Sequence, residues 1–163
     1  MLIRPATPAD LPQIAALLAR SYPALMRPAY PPALLEAALP TLTRPNPELV
    51  ASGRFYVAEA MGALLGCGGW SLAAPGHGAE TPGLAHLRHF AVDPASIGKG
   101  VGRALFQRCT AEARSEGARH WQALSSLNAE AFYTRMGLTR IEALALPLGP
   151  DCAFPVLRME GNV

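Results

Sequence analysis

Three glycines alternate through one short run that also carries two cations: Gly98-Lys99-Gly100-Val101-Gly102-Arg103. Glycine has no Cβ, so its backbone can bend sharply and approach a ligand closely. An apolar stretch from Leu84 to Val92 precedes the run, and a helical pattern of Val101, Leu105 and Cys109 follows it. A strand therefore runs into a turn, and the turn into a helix. The turn and first helical turn offer N–H groups with no main-chain acceptor, and the helix dipole favours an anion there. Lys99 and Arg103 add positive charge, so the run suits a pyrophosphate. It is not a P-loop, because no Ser or Thr follows Lys99. It also fits a dinucleotide fingerprint poorly. The spacing is GxGxG, it comes late in the chain, and Asp93-Pro94 separates it from the strand.

The elements that must hold this turn are legible as periodicities. Leu2 to Pro5 reads as a first strand. Leu11, Ile14, Ala15 and Leu18 form one apolar stripe of a helix with two candidate starts: Thr7 as cap with Pro8 at N1, or Asp10 as N-cap with Gln13 at N3, which leaves Pro12 harmless in the first turn. Residues 22–47 are rich in proline and read as a broken helical hairpin, with Ala33 to Leu39 helical and Pro40 ending it. Arg54 to Glu59 and Ala63 to Leu72 are strands joined by a turn at Met61-Gly62, and Ala73 to Gly83 is a loop. Leu84 to Val92 and His120 to Ser125 are strands on either side of a helix ending near Gly117. Asn128 to Met136 is a short helix with Asn128 as N-cap, and Leu138 to Leu146 with Pro155 to Glu160 form a last hairpin. An antiparallel front half thus gives way to strand–helix–strand–helix, a mixed α/β (α+β) sheet with helices on its faces.

Composition bounds what this fold can do. The chain has 163 residues, 50% of them hydrophobic and 16% charged, which suits one domain over residues 1–163 with a real core. The net charge of +2 argues against an electrostatic nucleic-acid binder. No apolar run reaches the roughly 18 residues of a spanning helix, and the first residues lack the order of a secretion signal. Cys67, Cys109 and Cys152 are odd in number and widely spaced, as expected of reduced, packed thiols in a cytoplasmic protein. No metal-ligand spacing occurs.

Around the glycine run the sequence resembles the GCN5-related N-acetyltransferase (GNAT) superfamily. That family shows an apolar strand, V-x-P, then [RQ]-G-x-G-x-[GA] and a helix. Val92-Asp93-Pro94 and Gly98-Lys99-Gly100-Val101-Gly102 match, whereas Ile97 stands where the family has Arg or Gln. The segment Leu127-Asn128-Ala129-Glu130-Ala131-Phe132-Tyr133-Thr134-Arg135-Met136-Gly137-Leu138 is similar to the family's second block, at shortened spacing. Residues 20–52 match nothing assignable.

The resemblance implies a GNAT-like, mostly antiparallel central sheet of six to seven strands flanked by about four helices. It implies an acetyl-CoA-dependent N-acetyltransferase that moves an acetyl group directly to a primary amine, either a small molecule or a peptide. The cofactor would lie along Phe90, Ala91, Val92 and Ile97 to Arg103, with Asn128 contacting its arm. An amide near Ala91 would hold the thioester oxygen. Tyr133 would protonate the leaving sulfur, with Phe132 turned into the core. His86, where the family often has Glu, would take the proton of the amine. His89, three residues on, falls on the opposite face of the strand, so only one of the two histidines should point at the substrate; Glu59, Glu80 and His77 are weaker candidates for that base. By analogy the acceptor lies against residues 20–45, the loop 73–83 and the last hairpin, a wall that contains Tyr22, Met26, Arg27 and Tyr30, with Trp70 and Phe154 nearby. The last hairpin is a candidate dimer contact. Two other readings stay open: a non-catalytic acyl-CoA-binding or sensing module on the same fold, and a nucleotide-binding protein.

Overall fold

The computed structural model describes residues 1–76 and 78–163. His77 lies outside the described residues. The chain runs β1 (Leu2–Pro5), α1 (Leu11–Met26), α2 (Pro32–Leu42), α3 (Pro47–Ala51), β2 (Phe55–Ala60), β3 (Ala63–Ser71) and β4 (Leu84–Val92). It continues through α4 (Val101–Ser115), β5 (His120–Ser125), α5 (Glu130–Arg135), β6 (Thr139–Pro147) and β7 (Ala153–Asn162). The strands form one open sheet in the order β1-β2-β3-β4-β5-β7-β6. Every adjacent pair is antiparallel except β4 with β5. Among the described residues no helix is long and apolar enough to cross a membrane.

Strand alternation divides the core between the two faces of the sheet. Tyr56, Trp70, Ala85, Leu87, Trp121 and Met159 pack against Val101, Leu105 and Cys109 of α4. The opposite face buries Phe55, Val57, Cys67 and Ala91 under Ile14, Leu17 and Leu18 of α1. Further along that face, Met26, Tyr30, Leu35 and Ala38 meet Phe154 and Val156 of β7.

The proline-rich segment differs from the sequence expectation. The helix α1 runs through Pro23 to Met26, and α2 runs past Pro40 to Leu42. An internal proline costs about 3 kcal/mol of helix. Here it is offset by packing, since Met26 and Ala38 are buried on either side of the junction. Thr43 also closes α2, its hydroxyl donating to the Leu39 carbonyl at 2.7 Å. A third helix follows, capped by Asn46, whose side chain accepts from the amides of Glu48 at 3.0 Å and Leu49 at 3.2 Å.

Near the centre the sheet departs from regularity twice. His89 sits in the left-handed region at φ 51°, where the register of β3 and β4 slips between Cys67 and Gly69. This bulge reverses the alternation. Before it Leu87 faces α4; after it Phe90 and Val92 do, and Ala91 faces α1. The second departure is between β4 and β5, which pair only from Leu84↔His120 to His86↔Gln122. Beyond His86 the two strands part, and the β5 side of residues 87–92 has no partner strand.

Candidate active site

The glycine run caps α4 in an unusual way. Gly98 and Gly100 both lie in the left-handed region, at φ 79° and 81°, and Gly100 is the N-cap of α4 with no side-chain cap. The carbonyl of Gly100 accepts from the Ala104 amide at 3.0 Å, and the Lys99 amide donates to Ser96 at 3.3 Å. Among the described residues the amides of Gly98, Gly100, Val101, Gly102 and Arg103 have no main-chain acceptor. They form a donor nest at the positive end of a 15-residue helix. Gly102 has a different reason to be glycine: a Cβ there would lie 2.9 Å from Cε2 of Phe132. It lets α5 close onto α4.

Side chains from α1 anchor the turn. The Arg20 guanidinium donates to Asp93 Oδ2 at 2.8 and 3.0 Å, while Asp93 Oδ1 accepts from the Ala95 amide at 3.0 Å. Arg20, and then the Ala95 amide, hold the Asp93 carboxyl below the usual range. The amide of Asp93 donates to Leu65 of β3 at 2.8 Å. By alternation Ala91 also turns its main chain to β3, and Phe90 and Val92 turn theirs to the gap. The carbonyls confirm this direction. Val92 accepts from the Ser21 hydroxyl at 2.7 Å and Phe90 from the Tyr22 hydroxyl at 3.3 Å. The strand thus presents donors to the gap at Phe90 and Val92, and the amide of Ala91 is directed elsewhere.

Turn, gap and α5 share one cavity of about 670 Å³. Phe90, Ala91, Val92, Ile97, Gly98, Gly100, Val101, Gly102, Arg103, Asn128 and Tyr133 all line it; Lys99 and His86 do not.

A sequence-family model described as the acetyltransferase (GNAT) domain matches residues 51–139. The chain belongs to the GNAT acetyltransferase family. The fold agrees with solved GNAT structures along the whole chain. A GCN5-related N-acetyltransferase from Rhodopseudomonas palustris superimposes with a TM-score of 0.79 at 19% identity, over 99% of this chain and 95% of that one. The PaiA N-acetyltransferase of Thermoplasma acidophilum, solved with coenzyme A, gives 0.76 at 15% identity, over 99% and 98%. A ribosomal-protein-alanine N-acetyltransferase from Brucella melitensis gives 0.64 at 24% identity, over all of both chains. No curated protein matches the sequence.

Within this GNAT fold Tyr133 is 7% exposed, its ring edge-on to Phe90 at 6.4 Å and to Phe132 at 5.1 Å. Burial, and then the neighbouring Cys109, push its phenol well above the usual tyrosine range. Phe132 is half-buried and lines the cavity as well, so the two rings are not divided between core and cavity. Asn128 is not an N-cap. It is exposed in a 3-10 turn, and α5 begins at Glu130. The Tyr30 hydroxyl fixes this turn, accepting from the Leu127 amide at 2.8 Å and donating to the Pro155 carbonyl at 2.7 Å.

The expected acceptor wall divides. Tyr22 and Met26 line the cavity. Tyr30 stacks on Phe154 at 4.4 Å in the core, and Arg27 is exposed. Trp70 lies on the α4 face, edge-on to Trp121, with its indole N–H donating to Glu112 at 3.3 Å. Strand alternation removes it from the acceptor side. Ser21, Leu25 and Ser126 also line the cavity; they belong to segments with no recognisable pattern.

Among the base candidates, His86 is 4% exposed on the face turned away from α4. Alternation cannot place His89 relative to it, because the bulge intervenes. Burial, and then Arg88, lower the His89 pKa to about 4. Glu59 is engaged by Arg4 at 2.8 Å on the outer strands, and Glu80 is exposed in the 73–83 loop. All three cysteines are buried, and burial pushes Cys67 to about 12.

Proposed function

We propose that the protein is an acetyl-CoA-dependent N-acetyltransferase that moves the acetyl group directly to a primary amine. One observation carries this reading: the donor nest at 98–103, the open edge at Phe90 and Val92, and Tyr133 all border a single cavity. A pyrophosphate fits the nest, where five amides meet a helix N-terminus and the positive-φ glycines expose the backbone. An extended amide chain fits the strand edge, which otherwise leaves donors unsatisfied. Coenzyme A would supply the activated acyl group as a thioester. The side chain of Ile97, 52% exposed at the cavity rim, leaves recognition in the nest to main-chain amides.

The protein's share of the chemistry follows from placement. The gap-facing amide of Phe90 donates to the thioester oxygen as it gains charge. One such donor is worth about 2.7–4 kcal/mol. The amine nitrogen bonds to the carbonyl carbon, the carbon–sulfur bond breaks, and Tyr133 delivers its proton to the sulfur. Burial keeps the phenol protonated but also makes it a weaker acid than in water, so the proton must pass to sulfur in concert with carbon–sulfur cleavage rather than through a free phenolate. His86, on the α1–α2 face of the strand and outside the cavity lining, takes the amine proton through a chain of water rather than directly.

Calorimetric titration with acetyl-CoA, followed by thiol release in the presence of amines, tests the reading. Binding with turnover is the expected result; binding with no turnover on any amine would reduce the protein to an acyl-CoA module. The His86→Ala variant should lose the acidic limb of the kcat/KM profile, and an unaltered limb would exclude His86 as base.

A further inference from the structure

Among the described residues Arg4, Arg54, Arg88 and Arg158 are the half-buried arginines, and of these Arg88 is the exception in having no carboxylate partner. Arg4 is paired with Asp10 and Glu59, Arg20 with Asp93, Arg54 with Glu116, Arg140 with Glu130, and Arg158 with Glu142 and Glu160. Arg88 is half-buried and has no carboxylate within ion-pair distance among the described residues. Its hydrogen-bond partner is the Ser71 hydroxyl at 3.0 Å, which itself donates to the Ala73 carbonyl at 2.7 Å and so holds the guanidinium in place. A half-buried cation without a counter-ion is costly, and buried charges are normally paired.

The position of Arg88 gives the missing counter-ion a source. Ala85 and Leu87 pack towards α4, so alternation sends His86 and Arg88 to the α1–α2 face. The donor nest heads α4, and α5 packs against that same helix, which leaves the α1–α2 face for the acceptor. Along β4, Arg88 lies two residues before Phe90, on the far side of the His89 bulge. Neither Arg88 nor Ser71 lines the cavity, so the guanidinium would meet the part of an acceptor that extends beyond it along the α1–α2 face of β4. His89, with a pKa of about 4, adds no charge at neutral pH. A second ammonium on the acceptor would meet only repulsion, whereas a carboxylate beside the amine would complete the pair.

We infer that the acceptor is an amine bearing a carboxylate, of the free amino-acid type, and that Arg88 receives that carboxylate. This rests on the transferase reading above. The guanidinium would take the carboxylate in a two-pronged, charge-assisted contact, with Ser71 as its positioning residue.

The test is thiol release from acetyl-CoA with free amino acids, each paired with its decarboxylated amine, and with putrescine. The inference expects kcat/KM to favour the amino acid of each accepted pair by about tenfold or more, mostly through KM. Arg88→Gln should erase that ratio, Arg88→Lys should restore part of it, and Ser71→Ala should shrink it. Titration with acetyl-CoA reports whether each variant is folded; if Arg88→Gln is not, the ratios of the unaltered protein and of Ser71→Ala decide. Decarboxylated amines or putrescine used as well as amino acids would overturn the inference, as would an unchanged ratio in Arg88→Gln. Turnover with the wrong preference sinks this inference alone. Absence of turnover on every amine, in a chain that binds acetyl-CoA, sinks the transferase reading with it.

Discussion

At the scale of single residues, the proposed role of Tyr133 can be tested apart from binding. Its ring is packed between Phe90 and Phe132, and phenylalanine keeps that packing while deleting the hydroxyl. Tyr133→Phe should leave acetyl-CoA affinity nearly unchanged in titration and lower turnover at least about tenfold, given that general acids commonly contribute ~10²–10⁴. Unchanged turnover would remove Tyr133 from the mechanism. Asp10 offers a residue-scale test of the scaffold. It is buried, accepts from Arg4 at 2.8 and 2.9 Å and from the Thr7 amide at 2.7 Å, and its carboxyl is held far below the usual range, chiefly by Arg4. A carboxyl depressed on folding stabilises the fold above its unfolded pKa of about 3.9 and loses that contribution as pH falls below it. Asp10→Asn should therefore cost about 1–3 kcal/mol in denaturant unfolding at neutral pH. It should also flatten the acid-side loss of stability. A variant with an unchanged acid limb would show that this carboxylate does not couple to folding.

At the scale of elements, two glycines of one turn should fail in different ways. Gly100→Ala places a Cβ at φ 81° with open space around it, so it should lose about 1–2 kcal/mol to backbone strain and distort the nest. Gly102→Ala keeps helical backbone but overlaps the Phe132 ring, so it should cost about 1–3 kcal/mol by pushing α5 from α4. Denaturant unfolding and coenzyme titration on both variants check this. Equal tolerance of alanine at both positions would contradict the division of roles. The same contrast shows what was legible in the sequence. The run announced itself because positive φ selects glycine directly, and β4 and β5 were readable to the residue as the short stretches on either side of the turn and helix. The role of Gly102 was not, since its reason is a ring on another helix. The bulge at His89 was equally invisible, as nothing in Leu87-Arg88-His89-Phe90 marks a left-handed residue. Asn46-Pro47-Glu48 did carry a readable cap, but the broken helical hairpin read over residues 22–47 absorbed it, and α3 was not distinguished.

At the scale of the whole molecule, the proposed function depends on the parting of β4 from β5. A sheet left open at its centre forgoes several main-chain hydrogen bonds, and a ligand that fills the gap should return them as stability. At a hundredfold excess over Kd a bound ligand adds about 2.7 kcal/mol. Coenzyme A should therefore raise the Tm and slow amide exchange at Phe90, Val92 and residues 98–103 before any acceptor is added. A shift in Tm with exchange unchanged at those amides would place the ligand elsewhere. The acceptor side was the least legible part. Tyr22 and Met26 enter the cavity because α1 continues through Pro23, and packing of α1 on the sheet, rather than local propensity, decides that continuation.

The most direct measurement is a crystal structure with acetyl-CoA bound. The account predicts diphosphate oxygens within hydrogen-bond distance of the amides between Gly98 and Arg103, and the thioester oxygen on a gap-facing amide of β4. It also predicts the sulfur beside the hydroxyl of Tyr133. Diphosphate seated away from that turn, or a phenol directed away from the sulfur, would contradict it.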